Sequence, residues 1–178
     1  MAQLRRHEIE RDAAKLLERH NFRSAPIPVE LLAQNEGIEV VRVAADWNES
    51  GFLLREEGRP PIIGINRKTS PKRQRFTIAH ELGHWRLHEG KPLIVDQSVM
   101  VNKRNDVSSQ ASDLQEIQAN QFAAALLMPE SLVRVRANHS AIEGFRSRDE
   151  LISRLSSEFD VSTDAMSWRL VNLGILSS

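Results

Sequence analysis

Residues 70–90 read Ser70-Pro71-Lys72-Arg73-Gln74-Arg75-Phe76-Thr77-Ile78-Ala79-His80-Glu81-Leu82-Gly83-His84-Trp85-Arg86-Leu87-His88-Glu89-Gly90. A serine followed by proline is an N-cap followed by a residue suited to the first helical position. Gly90 and Pro92 supply a stop, so the pattern predicts one helix over 71–89. Phe76, Ile78, Ala79, Leu82, Trp85 and Leu87 occupy much of its circumference, which marks a helix inside the protein and not on its surface. A buried helix that carries histidines needs a chemical reason.

Spacing provides one. Side chains four apart on a helix lie one above the other, so His80 and His84 can grip one cation. Glu81 sits one position along, beside the metal but poorly placed to join the pair, which is where a general base belongs. With no cysteine in the chain, any metal must be held by His, Asp and Glu, and a catalytic zinc takes three such ligands and keeps a place for water. The third ligand is expected from a carboxylate downstream. Glu116 is the best candidate, with Asn120 four residues on and able to accept the outer N–H of a ligating histidine. The plain alternative for Glu116 is a favourable interaction with the positive end of its own helix. His88 continues the line of histidines, but a helix rises about 6 Å per four residues while metal bonds are about 2 Å, so three consecutive sites cannot share an ion. A role at the helix end or in substrate contact suits His88 better. Gly83 leaves room for another backbone to approach.

Working outward, residues 3–20 carry Ile9, Ala13, Leu16, Leu17 and His20 at helical spacing. Pro28 can open a short helix that Gly37 closes. Strand signals follow at 38–43, 51–55 and 61–66, the last two flanking a Gly- and Pro-containing turn. An exposed edge at 51–54 could take up substrate as an added strand. Residues 91–111 read as an irregular segment with short apolar patches at 93–95 and 99–101. Ser112 to Gln115 has capping-box form and predicts a helix to about Met128, which Pro129 ends. Ser147 to Glu150 repeats the device, and a last helix is expected from about Thr163, reaching Asn172 to Gly174 as a C-cap. The expected division is a domain over 1–137 and a helical subdomain over 138–178.

Lysine plus arginine equal aspartate plus glutamate, at 24 each, so overall charge advertises no nucleic-acid partner. The N-terminus is charged instead of apolar, and no stretch nears the roughly 18 apolar residues of a membrane span, which makes the cytoplasm the expected location. Arg67, Lys68, Lys72, Arg73 and Arg75 crowd the entry to the histidine helix without an acid among them; such a run is either a solvated face or a contact for an acidic partner. Tyrosine is absent, so no phenol can steady an oxyanion. That task falls to zinc with a histidine, an arginine or a backbone N–H, and His88 and Arg75 are the side-chain candidates for oxyanion or substrate contact.

The stretch 76–84, the spacing to Glu116-x-x-Ala119-Asn120-x-Phe122-Ala123, and the ending Leu126-Leu127-Met128-Pro129 resemble the ImmA/IrrE family of metallopeptidases over roughly residues 8–175. The resemblance implies an α+β, minimal zincin-like fold in which a small twisted sheet packs on metal-bearing helices. It implies one zinc ion on His80, His84 and Glu116, with Glu81 as catalytic base and Asn120 behind a histidine. It further implies an endopeptidase that cleaves a co-encoded helix-turn-helix repressor, relieving repression of mobile-element or stress genes. The rival reading is a regulatory protein that holds a repressor or toxin without cutting it. Residues 159–176 also resemble that family's helix-turn-helix-like end. From 145 to 178 there are four arginines against five acids, the wrong sign for phosphate contact, so packing or partner docking is expected there and direct DNA binding is the weakest reading.

Overall fold

The computed structural model describes residues 5–44, 50–88, 93–95, 107–144 and 147–177. Two helices, α1 (Arg6–Arg19) and α2 (Val29–Asn35), precede strands β1 (Glu39–Val43), β2 (Gly51–Leu54) and β3 (Ile62–Asn66). The histidine helix α3 (Pro71–Leu87) and a short β4 (Leu93–Val95) follow. The chain then continues as α4 (Val107–Leu127), α5 (Glu130–Glu143), α6 (Arg148–Phe159) and α7 (Thr163–Asn172).

The sheet is mixed, with order β1-β3-β2-β4. β1 runs parallel to β3, pairing Glu39 with Ile62, while β2 and β3 form the expected antiparallel hairpin, pairing Gly51 with Ile65. β4 adds to the other side of β2, pairing Phe52 with Val95. This corrects two expectations. Residues 93–95 form a strand, too short to announce itself by alternation, and 51–54 is an interior strand with both hydrogen-bonding edges occupied, so it cannot accept an added strand.

Leu53, Ile63 and Ile65 are fully buried on the sheet, and α3 packs against β2 and β3 on one side and most extensively against α4 on the other. The Ser70 hydroxyl caps α3 by accepting from the Arg73 N–H at 3.3 Å, with Pro71 in the first turn. Gly37 takes the left-handed φ of +77°, and Ile38 N–H reaches back to the Ala33 carbonyl at 3.0 Å, closing α2 as the glycine predicts. α4 is already helical at Val107, so Ser112 to Gln115 lies inside the helix and is not its cap. Pro129 stands between α4 and α5. Ser147 and Ser162 cap α6 and α7 through the Glu150 and Ala165 amides. α5 runs through residue 138, and one continuous core cluster includes Ile9, Leu82 and Phe122 together with Leu151, Phe159 and Leu170.

The result is a small α+β fold of zincin type. Burial makes α3 the central strut, since every position from Thr77 to His84 is enclosed.

Candidate metal centre

Gly83 lets α3 and α4 meet. A β-carbon there would stand 3.0 Å from the Ala119 α-carbon and 3.1 Å from its carbonyl oxygen, tighter than most packed contacts, so a glycine eases the approach of the helices. That approach carries Glu116 across to the histidines. His80 Nε2 lies 3.2 Å from Glu116 Oε2 and His84 Nε2 lies 3.2 Å from Glu116 Oε1, while the two Nε2 atoms are 3.1 Å apart. Two ligand atoms about 2.0–2.1 Å from a tetrahedral ion are separated by about 3.3 Å, so the spacing suits a small divalent cation. His80, His84 and Glu116 are the cluster among the described residues able to hold a metal.

The hydrogen bonds behind the histidines decide their tautomers. Asn120 Oδ1 is 3.0 Å from His80 Nδ1; a carbonyl oxygen only accepts, so Nδ1 carries the proton and Nε2 keeps its lone pair. On the other side Gln118 Oε1 accepts from His88 Nε2 at 3.0 Å, leaving His88 Nδ1 to accept from His84 Nδ1 at 3.1 Å. Burial holds His88 below the usual imidazole pKa, which favours this neutral form. Both Nε2 lone pairs and the Glu116 carboxylate therefore converge, a donor set that fits a cation and repels itself without one. Burial raises the Glu116 pKa, but when His80 and His84 turn protons toward it they outweigh burial and hold it at about 2, so the carboxylate is already ionised before a cation takes the place of those protons.

Glu81 is fully enclosed, 0% exposed, one position along α3 from His80. Arg55, at the end of the β2 strand, donates to the His84 carbonyl at 2.7 Å and stacks over Trp85 at 5.1 Å. It satisfies a late carbonyl of α3 with a positive charge where the helix dipole favours one. Nothing in sequence marks Arg55 or Gln118, because each reaches its partner across about thirty residues.

The structure does not bring His88 or Arg75 to a substrate-facing position. His88 is buried and both ring nitrogens are engaged, so it stands behind His84 at the C-cap of α3. The Arg75 guanidinium donates to the Ile27 carbonyl at 3.0 Å and meets the Asp160 carboxylate at 3.1 Å. It ties α3 to the loops before α2 and α7. His80, His84, Glu116 and Asn120 come together as spacing predicts.

A mixed sheet under two helices that bear an H-E-x-x-H run and a facing glutamate defines a metallopeptidase-type fold and site. The chain belongs to the IrrE N-terminal-like domain peptidase family, whose sequence profile covers residues 33–171. It is similar to the radiation response metalloprotease IrrE of Deinococcus radiodurans, at 25% identity over 142 residues, which is 79% of this chain and 38% of that protein. Its fold resembles that of a Mycobacterium tuberculosis transcriptional regulator, with a TM-score of 0.58 and 15% identity over 93% of this chain and 46% of the other. The chain thus spans under half the length of each. Among the described residues no helix is long and apolar enough to cross a membrane.

Proposed function

We propose that the protein is a zinc-dependent endopeptidase with His80, His84 and Glu116 as metal ligands and Glu81 as general base. The convergence of those three side chains at 3.1–3.2 Å supports this most directly. Bound there, zinc would activate water and polarise a peptide carbonyl. The Glu81 carboxylate, one position along α3 from His80, takes a proton from the attacking water and returns it to the departing amine nitrogen. Asn120 holds His80, and the His88–Gln118 pair holds His84, each with Nε2 directed inward.

The substrate class rests on family likeness: a co-encoded helix-turn-helix repressor in the cytoplasm, cut to relieve repression. Incubating that repressor with the zinc-loaded protein and following its mass tests this. Shortening by wild type but not by Glu81→Gln supports it; a stable complex without cleavage favours the partner-holding alternative. DNA binding by α6 and α7 has little support, because Arg169 of α7 is 3% exposed and directed inward to Glu10 and the Met128 carbonyl.

A further inference from the structure

Glu116 is flanked on α4 by two large apolar side chains left in solvent, Leu114 at 42% and Ile117 at 51% exposed. Ile117 opens a groove of about 640 Å³ that follows the same face of α4 through Asn120 and Ala124 to Met128, just past the helix end. At about 1.5 Å per residue this face is about 16 Å long, three helical turns. Its opposite wall is α7, which presents Trp168 at 69% exposure. An apolar strip of this kind, on the helix that carries a metal-ligand candidate, is a binding surface more often than an accident of packing.

The charge around the groove has one sign. Among the described residues its one lining acid, Glu10, is matched by Arg169. Lys72 Nζ donates to the Val161 carbonyl at 2.8 Å and Arg6 Nη2 to the Asn172 carbonyl at 2.9 Å, so both keep their positive charge beside neutral acceptors. Arg73 lines the same α3 end, and from 58 to 80 there is no acid in the chain. Asn120 lines the groove and its carboxamide oxygen meets His80 Nδ1, so the groove reaches the back of His80, on the ring edge away from Nε2.

We infer that this groove seats a segment of the protein substrate remote from the cleaved bond, apolar toward Ile117 and Trp168 and acidic toward Lys72 and Arg6. The inference rests on the peptidase reading and adds a selectivity to it: acidic amphipathic segments are taken and basic ones refused.

The test uses the zinc-loaded Glu81→Gln protein, which cannot cut, and two fluorescein-labelled peptides of about 11 residues, three helical turns. One places leucine at helical i, i+3, i+4 and i+7 spacing with glutamate between, and the other carries lysine at every glutamate position. Anisotropy should show the acidic peptide bound about 10-fold more tightly, a difference of about 1.4 kcal/mol. Trp168→Ala should weaken it by about 10-fold, as loss of an aromatic anchor does. Lys72→Glu, at an exposed site, should reverse the preference. Equal affinity for the two peptides, or binding indifferent to both variants, overturns the groove. So does Trp168-dependent self-association in sedimentation, which would assign the face to a second copy. If charge-selective binding holds but wild type cuts nothing, the peptidase reading fails and the groove stands. Cleavage without charge preference rejects the groove alone.

Discussion

His84 Nδ1 lies 3.1 Å from His88 Nδ1, so one histidine of the helix sets the tautomer of the other. Since Gln118 holds the far nitrogen of His88, the relay is a line of three side chains ending at the metal position. His88→Ala and Gln118→Ala should each weaken zinc affinity by about 10- to 100-fold, the usual effect of removing a partner behind a ligand. Competition with a chromogenic chelator measures it. Unchanged affinity in both variants would show that His84 needs no such support.

Glu81→Gln keeps the size and shape of the side chain but not its basicity. Zinc content by metal analysis should stay at wild-type level while peptide hydrolysis falls by about 10²- to 10⁴-fold, the range attributed to general acid–base catalysis. Undiminished hydrolysis would remove Glu81 from the mechanism.

Gly83→Ala places a methyl 3.0 Å from the Ala119 backbone. Backbone cannot move aside as a side-chain tip can, so overpacking should destabilise the fold by about 1–3 kcal/mol. Because the same shift separates Glu116 from the histidines, zinc affinity should fall with stability. A thermal melt with and without metal reads both effects, and wild-type values in each would contradict the close helix contact.

The ligands sit on two different helices, so metal removal should be felt as lost stability. At a free metal concentration about 1,000 times Kd, binding contributes about 4 kcal/mol to the native state. Chelation should lower Tm accordingly, and Glu116→Ala should make Tm insensitive to the chelator.

On the side of α3 away from the metal, Arg86 binds Asp12 at 2.7 Å and Glu36 at 3.2 Å, and Glu36 also meets His20 at 2.7 Å. Burial opposes ionisation of Glu36, but the His20 hydrogen bond and the charges of Arg19 and Arg86 prevail, and its pKa lies below the ordinary 4.5. A depressed folded-state value means its stabilisation is present above about pH 4.5 and is lost as pH falls through the lower folded value. Tm measured from neutral to acid pH should therefore drop less steeply in Glu36→Gln than in wild type below that point. Parallel curves would place the acid-sensitive group elsewhere.

Sequence legibility tracked the range of the interaction. The caps of α3 and α6, the turn at Gly37 and the β2–β3 hairpin depend on residues a few positions apart, and each was readable from local chemistry. β4 was not, since three residues carry no period. Nor was the true start of α4, because a capping-box pattern at Ser112 also fits within a continuing helix. The interior position of β2 depends on β4, some forty residues later, and so escaped reading as well.

The histidine run shows the same division within one site. The i and i+4 spacing of His80 and His84, the adjacent Glu81 and the small Gly83 are properties of one helix, and the amino-acid order settles them. Which carboxylate crosses to complete the cluster depends on how closely α4 lies on α3, and the Gly83–Ala119 contact determines that. His88 makes the contrast plainest: helical geometry alone removes it from the metal. Only the packed structure, by turning its ring between His84 and Gln118, assigns it a place, because a buried imidazole takes its role from the partners that three-dimensional folding brings to its two nitrogens.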